Sequence, residues 1–406
     1  MSRLKIIPHQ VLQSNTIRLV AKRSAVLVTM LAAVGGIAVA LNWTFLRRIL
    51  TYPDNPITNV DWYQPREIVK GKPVKLPKAN SDAIVKASLK EISAYAQSAN
   101  SSALLVMHDG KLIWERYWQE FTPNSTFNSM SMSKTVMALL IGIAIAEGHI
   151  KSELEPVANY IPEWSQDKRS KITLQDLLYM HSGLQNHDNT DNPTSDLVRM
   201  YAGSDADAVA LQIPATQAPK KAFNYNNANT QILGEVLERA TGERYADYLS
   251  TRLWQPLQAN DAYLWLDRPQ PQGNPKPFCC LFATPRDWAK IGQLFLNRGQ
   301  VNGQQVVPES WLNKMIQPSP LTSNYGYHIW LKARLNSKPG VYDRTSSKPF
   351  LAQDTFYLDG ASRQRVYIIP SQNLVIVRVG ERPKQWDDSV IPNTLVKSLS
   401  SKYDEK

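Results

Sequence analysis

The segment Ser131-Met132-Ser133-Lys134 combines residue types and a spacing that suit nucleophilic catalysis, and it stands just before the apolar run 136–146. A serine hydroxyl is a weak nucleophile until a base takes its proton. A lysine three residues further along a helix lies on the same face, within reach of that hydroxyl. A buried helix would remove water from Lys134 and lower its pKa, so that part of it would be the free amine near neutral pH. The pattern favours Ser131 as an acyl-transfer nucleophile with Lys134 as its base.

The place of Ser131 at the start of this helix gives a second reason. Unpaired backbone N–H groups and the positive end of the helix dipole favour the negative charge that develops during acyl transfer. The spacing by itself is common, since Ser165 and Lys168 share it without a buried helix behind them. A helix cap followed by a surface lysine is therefore still open as an alternative at this point.

A second motif, Tyr225-Asn226-Asn227, precedes a capped helix and is expected on a loop. A tyrosine aimed at a cationic lysine can lose its proton more easily, and it can pass a proton to a leaving group. The Asn227 amide could bond both Lys134 and a substrate carbonyl. The alternative is an asparagine-rich turn with a tyrosine that only packs.

The chain around these motifs predicts an α+β fold in which β-rich ends surround a helical middle. Residues 103–117 read as a hairpin, because Asp109-Gly110 supplies the positive φ angles of a tight turn. Strands are predicted at 356–358, 365–369 and 374–379, and flanking helices at 81–98 and 388–400. Caps mark further helices: Thr173 with Asp176, Thr284 with Asp287, and Asn229 opening a helix that ends at Gly242.

The N-terminal region predicts a membrane anchor. Residues 1–48 carry seven of the basic side chains and no acidic one, which accounts for +7 of the net charge of +11. Residues 25–46 contain no charge, and about 20 apolar residues are enough to cross a bilayer as a helix. The positive-inside tendency places residues 1–24 in the cytoplasm as a basic arm. A cleaved signal peptide is the alternative, because Ala38-Val39-Ala40 resembles a cleavage site. Residues 47–80 are rich in proline and predict a spacer before a hydrolase domain at 81–406.

The two motifs together resemble the class C β-lactamase and penicillin-binding-protein-like serine hydrolases. Further segments fall where landmarks of that family fall: 106–111, 172–184, 233–238, 284–312 and 325–330. The resemblance implies a β-lactamase/transpeptidase-like fold, with an antiparallel sheet from both chain ends, flanking helices and an all-helical region. It implies that Ser131 becomes acylated, that Lys134 and Tyr225 move protons, and that Asn227 holds the substrate. No cofactor is expected.

The third motif of that family, often Lys-Thr-Gly or His-x-Gly, is not matched by the corresponding residues 355–360, which hold no lysine or histidine. A backbone N–H of this strand is still expected to complete an oxyanion hole with that of Ser131. Ungapped counting back from Pro370 points to Leu358 as the residue that supplies this N–H. Gly360, two residues later, is also expected to contact the substrate. Without the cation, penicillin is a poor substrate to expect, and the pattern is closer to esterases and amidases such as the 6-aminohexanoate-dimer hydrolases.

Other chemistries have less support in the sequence. Cys279 and Cys280 are neighbours and rarely bridge each other in that arrangement, so we expect two small, partly buried thiols and neither a disulfide framework nor a zinc site. No Gly-x-Ser-x-Gly occurs for a Ser-His-Asp triad, and His328 is expected to pack or to line a cleft. The basic excess beside the apolar segment argues against nucleic acid as a partner.

The sequence therefore predicts a membrane-anchored serine hydrolase that acts on a small ester, amide or short peptide. It is expected at a bacterial inner membrane, with the catalytic domain facing the periplasm or the cell exterior. A D,D-peptidase for cell-wall peptides, or a non-catalytic protein that binds penicillin or peptidoglycan, are the alternatives. The substrate and the oligomeric state are left open.

Overall fold

The computed structural model describes residues 43–81, 83–336 and 343–404. The α-helices are α1 Trp43–Leu50, α2 Ala83–Ser98, α3 Ser133–Ala146, α4 Leu174–Leu178, α5 Asp196–Ala202, α6 Ala206–Gln212, α7 Asn227–Thr241, α8 Tyr245–Leu249, α9 Pro285–Leu296, α10 Glu309–Met315 and α11 Val390–Asp404. The β-strands are β1 Arg66–Val69, β2 Ser101–His108, β3 Lys111–Tyr117, β4 Phe127–Asn128, β5 Ala262–Trp265, β6 Leu281–Ala283, β7 Gln300–Val301, β8 Gln304–Gln305, β9 Phe356–Gly360, β10 Gln364–Ile369 and β11 Leu374–Gly380.

The largest sheet is antiparallel, with the strand order β3-β2-β11-β10-β9. Successive side chains of a strand point to opposite faces, so the central strands carry apolar residues on both. One face packs against α2 and α11, and the other packs against α9. The predicted antiparallel sheet built from both chain ends is thereby confirmed, including the hairpin at Asp109 and Gly110, whose φ angles are 49° and 72°.

The helical middle is built around α3, which is buried along most of its length and lies beside α7. The predicted caps at Thr173 and Thr284 are both confirmed, and each forms a capping box. The predicted cap Asn229 is wrong. The cap of α7 is Asn226, whose side chain accepts a hydrogen bond from the Ala228 N–H, and Asn229 lies buried one turn inside the helix. The helix ends at Gly242, as predicted.

A smaller antiparallel sheet, β1-β5-β6-β4, supports the loop that enters α3. Its first strand comes from the proline-rich stretch predicted as a spacer. Ile57, Tyr63 and Val69 in this stretch are fully buried, because apolar side chains between the prolines contribute to the core. The compact unit that the structure describes starts at Pro53, so it extends further toward the N-terminus than the predicted boundary at residue 81.

Most of the predicted membrane span, residues 25–42, lies outside the described residues, as does the predicted arm 1–24. The end of the span falls in α1, which has eight residues. Within 43–81, 83–336 and 343–404, no helix has the length and apolar character needed to cross a membrane.

Cys279 and Cys280 form a disulfide with each other, so the prediction of two free thiols is wrong. The prediction relied on the usual Cα–Cα separation across a disulfide, about 4.4 to 6.8 Å. Here the Cα atoms are 3.7 Å apart, and the backbone of Cys280 has a φ of 68°. Both side chains are buried.

Candidate active site

Ser131 lies in a tight turn that is held between the small sheet and α3. The 3-10 helix Met130–Met132 precedes α3, and Met130 adopts a φ of 47°. The Asn128 side chain accepts a hydrogen bond from the Met130 N–H at 3.0 Å, and the Ser129 hydroxyl accepts one from the Leu281 N–H at 3.2 Å. Left-handed backbone at a non-glycine residue costs about 1–3 kcal/mol and persists where the surroundings hold it. The turn thus fixes the Ser131 hydroxyl at the helix entrance.

Lys134 lies one turn further, and its amine contacts three oxygens. The Nζ atom is 2.9 Å from the Ser131 Oγ, 2.8 Å from the Asn227 Oδ1 and 2.6 Å from the Phe278 carbonyl oxygen. The Asn227 and Phe278 oxygens can only accept, whereas the Ser131 hydroxyl can also donate. The free amine can therefore donate its two N–H groups to Asn227 and Phe278 while its lone pair accepts the proton of the Ser131 hydroxyl.

Burial lowers the pKa of Lys134 to about 7, against the opposing attraction of the Asp359 carboxylate. The side chain is 1% exposed, and removal from water disfavours the ammonium form. A substantial fraction of Lys134 is therefore the free amine near neutral pH, which is the form that can take a proton from Ser131.

Tyr225 stands on the loop before α7, and its hydroxyl is hydrogen-bonded to Ser131. Burial raises its pKa above 10, although that hydrogen bond acts in the opposite direction. The expectation that Tyr225 loses its phenol proton more easily is thus wrong in net direction, because burial raises its pKa more than its neighbours lower it. Tyr225 is a neutral phenol, held by stacking on Trp330, with ring centroids 6.0 Å apart.

A cavity of about 360 Å³ opens over Ser131 and Tyr225, and Gly360 and Ala361 at the end of β9 form part of its wall. The Tyr357 backbone exchanges two hydrogen bonds with Trp330, of 2.8 and 3.1 Å, on the side away from β10. Backbone groups of successive strand residues point in opposite directions. The Leu358 N–H therefore points toward Val366 of β10.

By the same alternation, the N–H groups of Asp359 and Ala361 point toward the edge of β9 that faces away from β10, the edge on which Tyr357 meets Trp330. Gly360 is extended, with a φ of −119° and a ψ of 150°, so the alternation holds up to the Ala361 N–H. The Leu358 side chain is fully buried in the core. Of the residues predicted on this strand, Gly360 lines the cavity, and Ala361 beside it presents the better oriented backbone donor.

The structure brings the predicted residues Ser131, Lys134, Tyr225 and Asn227 together. Sequence reasoning missed other groups of the site, because segments distant in sequence supply them: Phe278, Trp330, Arg334, Asp359, Ala361 and Arg363. His328 is buried behind the site, and its Nε2 lies 3.0 Å from the Thr230 hydroxyl. Across the part of the chain that the structure describes, no cluster of acidic, histidine and cysteine side chains could hold a metal ion.

Comparison with known sequences finds one family and several hydrolases that are similar to this chain. The profile of the Beta-lactamase family matches residues 82–398. A 6-aminohexanoate-dimer hydrolase of Paenarthrobacter ureafaciens is 26% identical over 285 residues, which are 68% of this chain and 69% of that protein. A teichoic acid D-alanine hydrolase of Staphylococcus aureus strain MRSA252 is 29% identical over 210 residues, 49% of this chain and 50% of that protein.

Solved structures share the fold. A Bacillus anthracis protein, described as a candidate 6-aminohexanoate-dimer hydrolase, superposes with a TM-score of 0.65 at 22% identity, over 86% of this chain and 92% of that chain. A family VIII carboxylesterase superposes with a TM-score of 0.59 at 14% identity, over 82% of this chain and 99% of that chain. The described part of the chain has the α+β architecture of these proteins.

Proposed function

The chain belongs to the beta-lactamase family of serine hydrolases, and we propose that it cleaves a small ester or amide through an acyl-enzyme on Ser131. Among its relatives are enzymes named for hydrolysis of an aminohexanoate dimer and of teichoic acid D-alanine. The observation that carries the proposal is the environment of Lys134. Its amine is buried, has two acceptors that cannot give a proton, and has its third contact on the Ser131 hydroxyl.

The proposed acylation uses each of these contacts. The Ser131 oxygen attacks the carbonyl carbon while its proton passes to the Lys134 amine. The carbonyl oxygen becomes an oxyanion, which the backbone N–H groups of Ser131 and Ala361 stabilise. The bond to the leaving group then breaks as that group takes the phenol proton of Tyr225, which regains a proton from the Lys134 ammonium.

Deacylation returns the site to its starting state. Water attacks the acyl carbon and loses one proton to the Lys134 amine, and the Lys134 ammonium then passes a proton back to the Ser131 oxygen as the acid product leaves. The half-buried Asn227 amide keeps Lys134 in place and can bond the substrate carbonyl region. No step requires a group from outside the chain other than water.

We also propose that residues 25–46 anchor the enzyme in a bacterial inner membrane, with the catalytic domain facing the periplasm or the cell exterior. This proposal rests on the sequence. The span holds no charge, and the basic residues before it fit a cytoplasmic arm.

The function is tested by covalent labelling of the full chain with a fluorophosphonate, followed by intact mass and peptide mapping. One stable adduct on Ser131, absent from Ser131→Ala, is expected, because only an activated serine reacts readily with this reagent. Ser133→Ala is the matched control and should still be labelled, since the Ser133 hydroxyl is buried and donates to Pro277. A folded parent chain without an adduct would remove the hydrolase mechanism as stated.

The pH dependence follows from the lowered pKa of Lys134. The free amine is the active base, so kcat/KM for a neutral ester should rise about tenfold per pH unit below pH 7 and level off above about 7. Asn227→Asp places a carboxylate at the 2.8 Å contact and raises the pKa of Lys134. The acidic limb should move up by about 1–3 pH units.

A full pH–rate profile of parent and Asn227→Asp is the measurement. At pH 7 the variant should be about 5- to 500-fold slower, for a shift of about 1 to 3 pH units, and it should recover at higher pH. Asn313→Asp makes the same chemical change at an exposed residue of α10 and should leave the profile in place. If the limb of Asn227→Asp stays at pH 7, Lys134 is not the titrating base.

A further inference from the structure

Charged side chains of both signs line the cavity over Ser131, where the family's third-motif cation is missing. Arg334 and Arg363 both line it, and the carboxylate of Asp359 lies in its wall. Arg365 lies directly behind, fully buried. These charges raise the question of which cation is available to a substrate.

Two of these arginines are already neutralised by carboxylates. Arg334 donates to the Asp359 Oδ2 at 2.6 Å, and its guanidinium lies over the Trp330 ring at 4.2 Å. Arg365 also bonds Asp359, and it donates to the Asp388 Oδ1 at 2.6 Å. The positive charge of each guanidinium is thus offset by a carboxylate, so each attracts an incoming anion less strongly than an unpaired cation would, although the Arg334 Nε–H has no hydrogen-bond partner among the described residues.

Arg363 differs from both. Among the residues that the structure describes, no carboxylate or other acceptor bonds its guanidinium. Burial and the neighbouring Arg365 lower its pKa, because its charge is poorly compensated. A half-buried cation beside a cavity, to which no protein group is bonded, can form charge-assisted hydrogen bonds with an incoming anion.

The backbone of Arg363 is held in place by the protein. It lies at the tip of the β9–β10 hairpin with a φ of 65°. The buried Arg378 donates to the carbonyl oxygens of Ser362 at 2.7 Å and of Arg363 at 3.1 Å, and the Gln364 amide donates to the Ala361 carbonyl at 3.2 Å. The tip is thus pre-organised, which reduces the entropy lost on binding.

The sequence order relates Arg363 to the reacting carbonyl. Ala361, two residues earlier, carries the proposed oxyanion donor. The substrate carbonyl at the Ala361 N–H and the Arg363 guanidinium are therefore separated by at most two residues of backbone and the length of one arginine side chain. Two acidic residues, Asp188 and Asp343, also line the cavity, and both are exposed, so water screens them more strongly than Arg363.

We infer that Arg363 is a specificity-determining residue that binds a carboxylate of the substrate a few bonds from the cleaved carbonyl. This rests on the proposed function of Ser131. The substrate class is then an ester or amide whose acyl part carries a second, ionised carboxyl group. Arg363 supplies the positive charge that residues 355–360 lack.

The test compares three p-nitrophenyl esters with six-carbon acyl chains. One is the anionic mono-p-nitrophenyl adipate, one its neutral methyl ester, and one the cationic 6-aminohexanoate ester. The kcat/KM of each is measured on the full chain, after subtraction of spontaneous hydrolysis, for the parent, Arg363→Gln, Arg363→Lys and Arg382→Gln. Arg382 is exposed and lies outside the cavity wall, so Arg382→Gln makes the same change in net charge away from the site.

The parent should prefer the anionic ester over the neutral one. Arg363→Gln should lower the anionic-to-neutral ratio about 10- to 100-fold, Arg363→Lys should retain part of it, and Arg382→Gln should keep the ratio of the parent. An unchanged ratio in Arg363→Gln, an equal fall in Arg382→Gln, or a preference of the parent for the cationic ester would overturn the inference. Failure to hydrolyse even the neutral ester would instead contradict the proposed function, which labelling of Ser131 tests separately.

Discussion

Lys134→Met should lower kcat for a neutral ester by at least about 10³-fold, because it removes the base that accepts the Ser131 proton. Methionine keeps the length and fills the buried space, so the helix and the cavity retain their shape. The Lys134 amine contacts Ser131 at 2.9 Å, and neither of its other contacts, Asn227 and Phe278, can take over as a base. Steady-state kinetics above pH 8, where most of the parent amine is deprotonated, measure the loss.

Lys290 offers a matched control for this substitution. It is also a buried lysine that donates to backbone carbonyls, at Val74 and Gln258, and burial lowers its pKa as well. It does not line the cavity over Ser131. Lys290→Met should therefore affect thermal stability to a similar degree as Lys134→Met, and leave kcat within a few-fold. Retention of more than about a tenth of the activity in Lys134→Met would show that another group activates Ser131.

Local sequence signals predicted the frame of the molecule well. Capping boxes at Thr173 and Thr284, the turn at Asp109 and the C-terminal strands all lie within a few residues of their predicted places. These features depend on contacts between residues close in sequence. The pair Ser131 and Lys134 has the same origin, because one helical turn fixes its geometry.

Features that depend on distant segments could not be predicted in this way. The carbonyl of Phe278 accepts a hydrogen bond from Lys134, 144 residues away, and a backbone oxygen leaves no signal in the residue types. The cap of α7 went to Asn226 instead of Asn229, since three asparagines compete within four positions and only the start of the helix decides between them. The disulfide of Cys279 and Cys280 was missed for a different reason: it accompanies a left-handed backbone at Cys280, which the residue types do not reveal.

The strand opposite Ser131 shows how a shift of a few residues changes a chemical assignment. Counting along the sequence pointed to the Leu358 N–H, but backbone donors alternate between the two edges of a strand. The contact between Tyr357 and Trp330 fixes which donors face β10. This information comes from pairing in three dimensions, and it moves the proposed oxyanion donor to Ala361.

Ala361→Pro should lower kcat about 10²- to 10³-fold, because proline has no N–H and so removes one donor of the oxyanion hole. The backbone is suited to the change. Gly360 has a φ of −119° and a ψ of 150°, which is the region that a residue before proline favours. Ala361 is exposed, so the proline ring meets little resistance from neighbouring side chains.

Ala361→Ser is the control that keeps the N–H, and its kcat should stay within a few-fold of the parent. Labelling of Ser131 by a fluorophosphonate should slow in Ala361→Pro as well, since the tetrahedral adduct needs the same donor, while the melting temperature should change little. If Ala361→Pro turns over esters at the parental rate, the strand donor is not the Ala361 N–H. The Asp359 N–H, which points to the same edge of β9, would then be the group to test, and the inferred spacing between the reacting carbonyl and Arg363 would lengthen by two residues.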